Sequence, residues 1–318
     1  MRKATGRAAR TKPGAPERAD LYAEITARII AELEGGRLPW VQPWSATVTG
    51  PCLPHNAATA RPYSGINVLL LWGAAQEFGF AGQGWLTFRQ ALAAGGSVRK
   101  GEHGTTVFYA DSFVPEGEKA RAVETGEDAK AVAFLKRFTV FNVDQCEGLS
   151  QAMGQAGEPL PECEQVPLAE AVIAASGVPF HIGGDRAYYA PGPDFVMVPP
   201  QRAFHAPINF YRTALHELTH ATGHAKRLAR NLCNAFGSKD YAREELVAEM
   251  GSAFLCAALG IVPTVRHADY IGSWLEVLRE DNRAIFRAAS QASKAAEWLL
   301  GRHREADAAS LQDERIAA

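Results

Sequence analysis

Apolar residues recur every four positions near the start of the chain, at Leu21, Ile25, Ile29 and Leu33, and the run stops at Gly35-Gly36. That spacing predicts an amphipathic helix with a defined end. The pattern then breaks into short segments dense in Gly, Pro and aromatics. Within them TTVFYA and RFTVFNV predict strands. The acidic stretch between these runs, VPEGEKARAVETGEDAK, reads as an exposed loop or hairpin tip. Residues 19–150 are therefore expected to form a small mixed domain, and residues 151–165 have linker composition.

A second unit, residues 166–303, opens with a short helix, LAEAVIAASG. RAYYA and FVMV follow as two strands joined by a Pro-Gly-Pro-Asp turn. Helical spacing then takes over. Pro207 suits a first turn, and Tyr211, Leu215 and Leu218 mark one apolar face of a helix over 207–222. A longer helix is predicted in KDYAREELVAEMGSAFLCAALGIVP, with Asp240 as cap, Gly260 as end and Leu246, Met250, Ala253, Phe254 and Ala257 as its buried stripe. The fold class is α+β: a small mixed N-terminal domain and a mainly helical second one.

Composition narrows the picture a little. Of 318 residues 47% are hydrophobic and 21% charged, and the net charge of −2 argues against a globally basic nucleic-acid binder. Residues 1–150 carry 17 basic against 15 acidic side chains, and the remainder 16 against 20, so a polyanion contact favours the first half. Residues 1–18, with six basic residues and one acidic, are expected to be a disordered arm, and residues 304–318 a tail. The five cysteines form no Cys-x-x-Cys pair. There is no membrane-length apolar run and no signal-peptide core, so a cytoplasmic protein is expected.

The chemistry concentrates in YRTALHELTHATGHAKRL. His216 and His220, four apart, project from one side of the predicted helix and can grip one zinc ion. Glu217, next to the first, can reach the metal's water as a general base that prepares attack on a carbonyl. Lys226 stands where a metzincin needs histidine, and Gly223 reads as a helix stop that carries His224 out of reach. Glu245 and Glu249 share a face of the next helix, with Glu244 expected toward solvent. The arrangement is similar to gluzincins. That resemblance makes Glu245 the third ligand and Glu249 the partner of a zinc histidine, with the opposite assignment left open. FVMV (195–198) is a candidate edge strand for an extended peptide, and Tyr188, Tyr189 and Tyr211 are candidate oxyanion donors.

In the first domain aromatic and basic residues interleave: Trp40, Trp44, Arg61, Tyr63, Trp85, Arg89, Arg99, Lys100, Lys136 and Arg137. Single strands bind such mixtures, bases on rings and phosphates on cations. Pro-flanked Trp40 and Trp44 are expected exposed, Trp72 in the core, and Arg99-Lys100 at a hairpin turn.

Taken in order, PW-x-PW, RPYSGINVLLL, GWLTFRQA, GGSVRKGEHGTTV and FTVFNVDQCEGL resemble the N-terminal domain of ArdC-type antirestriction proteins, shared with plasmid TraC primases. GGDRAYYAPGPDFVMVPP, HELTHATGHAKRLAR, YAREELVAEMGSAFLCAALGI and YIGSWLEVL resemble the zincin-like metallopeptidase domain that follows it. The resemblance covers residues 18–303. It implies a single-stranded-DNA-binding domain joined to a domain with one zinc ion, in a bacterial mobile element, protecting incoming DNA from restriction. Two other readings fit the same residues: a metalloprotease cleaving DNA-bound proteins, and a pure binding module with a structural zinc.

Overall fold

Helix α1 (Leu21–Glu34) buries Ile25, Ile29 and Leu33, the stripe its spacing predicts. The computed structural model describes residues 21–41, 52–125, 128, 132–150, 153, 162–232, 237–262 and 270–317. The basic arm, Trp44, Pro263 and most of the predicted linker lie outside them.

Strands β1 (His55–Asn56) and β2 (Gly84–Leu86) flank helix α2 (Ile66–Phe78) in sequence, and α3 (Phe88–Ala93) and β3 (Ser97–Val98) follow. The two predicted strand runs become β4 (Thr105–Phe113) and β5 (Val132–Asn142), an antiparallel pair in which Tyr109 faces Lys136 and Val107 faces Phe138. They complete a sheet of order β1-β2-β5-β4, with β6 (Cys146–Glu147) pairing β3 beside it. Between β4 and β5 the acidic stretch forms helix α4 (Glu116–Thr125), not a loop. Glu116 and Glu118 in its first turn complement the helix dipole, and Glu118 pairs Arg121 at 3.1 Å.

Helix α5 (Glu162–Ala175) leads into a three-stranded sheet of β7 (Phe180–Ile182), β8 (Tyr188–Ala190) and β9 (Phe195–Val198). FVMV is the centre of this sheet, parallel to β7 and antiparallel to β8, so its backbone is paired on both sides. The edge-strand expectation for FVMV is therefore corrected, because β7 and β8 take the edges. Among the described residues that follow, four helices form: α6 (Ile208–Thr222), α7 (Lys239–Ala258), α8 (Ile271–Glu280) and α9 (Ala284–Ala317). Ser238, not Asp240, caps α7, its Oγ accepting from the Tyr241 N–H at 3.1 Å.

One hydrophobic core joins early and late parts of the chain. It holds Ile25, Leu69 and Trp72 together with Phe254, Trp274 and Ala289. Trp72 meets Phe254 edge-on at 5.7 Å, as a core residue should. Trp40, expected to be exposed, is 0% exposed and stacks edge-on against Trp274 at 5.4 Å. Among the described residues no helix is long and apolar enough to cross a membrane.

Candidate metal centre and aromatic groove

Helix α6 carries His216 and His220 one turn apart, and α7 packs against it with Glu245 and Glu249 facing them. The helices approach closely because Gly251 lacks a side chain: a Cβ there would sit 2.5 Å from Thr219 Cγ2. His216 Nε2 lies 3.5 Å from Glu245 Oε2, and His220 Nε2 lies 3.5 Å from Glu245 Oε1. Tetrahedral donors bound at about 2.0–2.1 Å stand roughly 3.3–3.4 Å apart, so the spacing fits a small divalent ion. His216, His220 and Glu245 each offer a donor atom within 4.8 Å of the others. His224 is not in this group; its Nδ1 is 3.7 Å from Asp194 beyond the end of α6.

The opposite ring nitrogens face carboxylates. His216 Nδ1 is 3.8 Å from Glu249, and His220 Nδ1 is 3.2 Å from Glu244. Such contacts fix ring orientation and leave Nε2 for a metal. Glu244 thus departs from its expected solvent position. Arg230 holds it there, donating Nε and Nη2 to the two carboxylate oxygens at 3.0 and 2.8 Å. The same guanidinium donates to Thr222 Oγ1 at 2.8 Å and to the Thr219 carbonyl at 2.7 Å. Gly223 ends α6 as expected, but with φ −73 it is not a left-handed stop. A Cβ on it would meet Leu232 at 2.8 Å and Arg230 at 3.0 Å, so the returning loop needs the space.

The charges are mutually adjusted. Burial alone would lower the pKa of His220, but the Glu244 and Glu245 carboxylates override it and hold the imidazole well above its ordinary value. Burial would raise Glu245, yet His216 and His220 pull it far below the carboxylate range. Glu244 is lowered likewise, against burial, by His220 and Arg230. The metal-free His220 therefore holds its proton more tightly than an ordinary imidazole does, and a metal bound there must displace it. Titration calorimetry at pH 7 in buffers of different ionisation enthalpy is expected to show proton release on metal binding. Affinity should climb as pH rises toward the His220 value; a pH-independent affinity with no proton released would contradict this.

Glu217 is buried beside His216 at 7% exposure. Two of the candidate oxyanion tyrosines are engaged elsewhere. Tyr189 donates to Asp194 at 2.7 Å, and Tyr211 donates to Glu170 at 2.8 Å while its hydroxyl is pushed up to about 12 by burial and that carboxylate. Tyr188 sits exposed on the β8 edge. Tyr241, one turn before Glu245, was missed: burial, then Tyr270 and Glu245, push its hydroxyl well above the tyrosine range. Its place at the start of α7 was the available signal.

The predicted nucleic-acid residues divide. Trp40 and Trp85 are 0% exposed and offer no ring face to a base. Arg61 and Tyr63 line a cavity of about 690 Å³ together with Tyr109 and Phe138, two rings outside the predicted set. Tyr109 is 53% and Phe138 45% exposed, and the β4–β5 register puts them on one face with Lys136. Period-two alternation in TTVFYA and RFTVFNV was the signal for them. Arg89, Lys100 and Arg137 are exposed, and Arg99 pairs Glu102 at 2.8 Å.

Comparison with known proteins decides the family. The model for the N-terminal domain of anti-restriction factor ArdC matches residues 19–141, and a zincin-like metallopeptidase model matches residues 167–291. The crystal structure of the antirestriction ArdC protein from plasmid R388, metal-free, is 38% identical with a TM-score of 0.74, covering 90% of this chain and 98% of that one. This chain belongs to the ArdC antirestriction family. The Mn(II)-bound structure of the R388 protein matches with a TM-score of 0.73 at 38% identity, over 89% of this chain and 98% of that one. An uncharacterized protein of Sinorhizobium fredii, y4eC, is 38% identical over 90% of this chain and 94% of its own length. The Escherichia coli DNA primase TraC is 38% identical over 88% of this chain, which spans only 27% of that primase. The zincin-like fold, the three converging donors and the Mn(II)-bound relative point to a divalent metal here. The ArdC and TraC kinship points to nucleic acid.

Proposed function

We propose that this ArdC-family chain binds single-stranded DNA and protects incoming DNA from the recipient's restriction enzymes during conjugation, in the bacterial cytoplasm. The observation that carries the reading is the groove of Arg61, Tyr63, Tyr109 and Phe138, two of its rings about half exposed. Stacking requires unpaired bases and is worth about 1–3 kcal/mol per base, with little sequence preference. Lys136, Arg137, Arg89, Arg99 and Lys100 supply cationic surface around the same domain, and Trp44 remains a stacking candidate outside the described residues.

His216, His220 and Glu245 are the ligands of one zinc ion in this reading, since two imidazoles and a carboxylate suit zinc. A divalent ion held there supplies Lewis-acid polarisation and an acidified water. Glu217 takes up the proton as general base. Glu249 and Glu244 hold the two imidazoles in orientation. The buried Glu217 beside the histidine pair supports a second reading, cleavage of DNA-bound proteins.

Full-length protein should bind a single strand more tightly than the same sequence as duplex at moderate salt, with affinity falling as salt rises. Tyr109→Ala and Phe138→Ala should each lose about 1–3 kcal/mol of binding. Equal affinity for duplex and single strand would overturn the DNA reading. A peptidase assay with and without single-stranded DNA tests the second. Activity that disappears in Glu217→Ala, with metal retained, would support it, and no activity under either condition would remove it.

A further inference from the structure

The aromatic groove has a neighbour. A second cavity, also about 690 Å³, shares Tyr22, Phe286 and Ser290 with the first, so the two meet at one wall. Its lining is of a different kind: Arg230, Arg243, Arg283 and Arg287, against Asp240 and Glu244. These arginines come from the loop after α6, from α7 and from around the start of α9, and only the fold gathers them.

Their charge is partly met within the protein. Arg243 pairs Asp240 at 2.7 Å, Arg230 pairs Glu244, and Arg287 pairs Asp281. A guanidinium has five donors, so a carboxylate partner leaves others for a phosphate. Arg283, which lines the second cavity, lies over the ring of Tyr22, 4.8 Å from its centroid, and Tyr22 belongs to the wall common to both. The Arg287 side chain is 58% exposed. Flat rings on one side of a shared wall and guanidinium groups on the other match the two halves of a nucleotide.

We propose that the bound single strand does not stop at the β4–β5 face. It continues past Tyr22 and Phe286 into the second cavity, where Arg283 and Arg287 take its phosphates. This rests on the single-stranded-DNA reading above and extends it. The DNA track then crosses from the N-terminal half to the C-terminal helices. It ends against Arg230 and Glu244, the pair that holds His220 from behind.

The test uses full-length, metal-loaded protein and two fluorescent oligothymidylates, one of about five nucleotides and one of about twenty, the shorter sized for a single groove. Arg283→Gln with Arg287→Gln should weaken the long oligomer about tenfold and flatten its log–log salt dependence by about 1.4, as expected for two lost phosphate contacts. Binding of the short oligomer should be unchanged, which also reports an intact fold. Tyr109→Ala with Phe138→Ala should weaken both. Arg287→Gln alone should give about half of the change in slope. Unchanged affinity and slope for the long oligomer in the double arginine variant, with wild type binding normally, would overturn the proposal. An equal loss for both oligomers would do so as well, because it would place the arginines at the groove. If wild type binds neither oligomer, the DNA reading itself falls, and the track with it.

Discussion

Arg230→Ala is expected to destabilise the protein by about 3–5 kcal/mol, the usual cost of leaving one partner of a buried ion pair alone. Both side chains are well enclosed, Arg230 at 6% and Glu244 at 11% exposure, so solvent screens little of the interaction. The guanidinium also ties the Thr219 carbonyl and Thr222 Oγ1 at the end of α6, and both contacts vanish with it. Metal binding should weaken about 10–100-fold, as for other losses behind a ligand histidine. The physical route is specific. Without Arg230, Glu244 keeps His220 as its ion-pair partner among the described residues, and it then favours the protonated imidazole that a metal must displace. Arg230→Lys should restore part of the stability and little of the geometry, because an ammonium cannot span both carboxylate oxygens. Denaturant unfolding and metal titration check this; a loss below about 1 kcal/mol would mean that Glu244 is satisfied from solvent.

His216→Ala with His220→Ala should reduce bound zinc from near one per chain to near none, the largest effect expected of any substitution here. Two imidazole donors leave together, and Glu245 alone is a weak monodentate or bidentate site. The two carboxylates should rank. Glu245 faces both Nε2 atoms at 3.5 Å, whereas Glu249 lies 3.8 Å from His216 on its Nδ1 side. Glu245→Ala should therefore lose most of the metal, and Glu249→Ala about 10–100-fold in affinity. Metal analysis of purified variants measures both. Zinc retained by the double histidine variant would sink the ligand set, and a reversed carboxylate order would exchange their roles.

Much of this site is legible in the chain because it is local. His216 and His220 are one helical turn apart, as are Glu245 and Glu249, and helix geometry alone puts each pair on one face. Glu244 was not legible. About 100° around the helix from Glu245, it reads as solvent-facing until Arg230 returns against α6, and that return depends on the space at Gly223. Trp40 fails in the same way: its segment has no apolar periodicity, and its partner Trp274 lies on a helix near the far end of the chain. FVMV looks like an edge strand when read with RAYYA alone. Only the parallel pairing with β7, a contact invisible to hairpin logic, makes it central. Composition singled out Trp85 and passed over Tyr109 and Phe138, since residue type says nothing about which ring the α2–sheet packing covers.

On the proposed function, DNA binding, and not cleavage by the metal site, protects incoming DNA. Conjugative transfer of unmodified DNA into a restricting recipient measures this directly, with wild type, Glu217→Ala and Tyr109→Ala/Phe138→Ala supplied at equal levels. Glu217→Ala is expected to protect as wild type does, and the double aromatic variant to lose protection. Loss of protection in Glu217→Ala, with zinc and single-stranded DNA still bound, would contradict the claim.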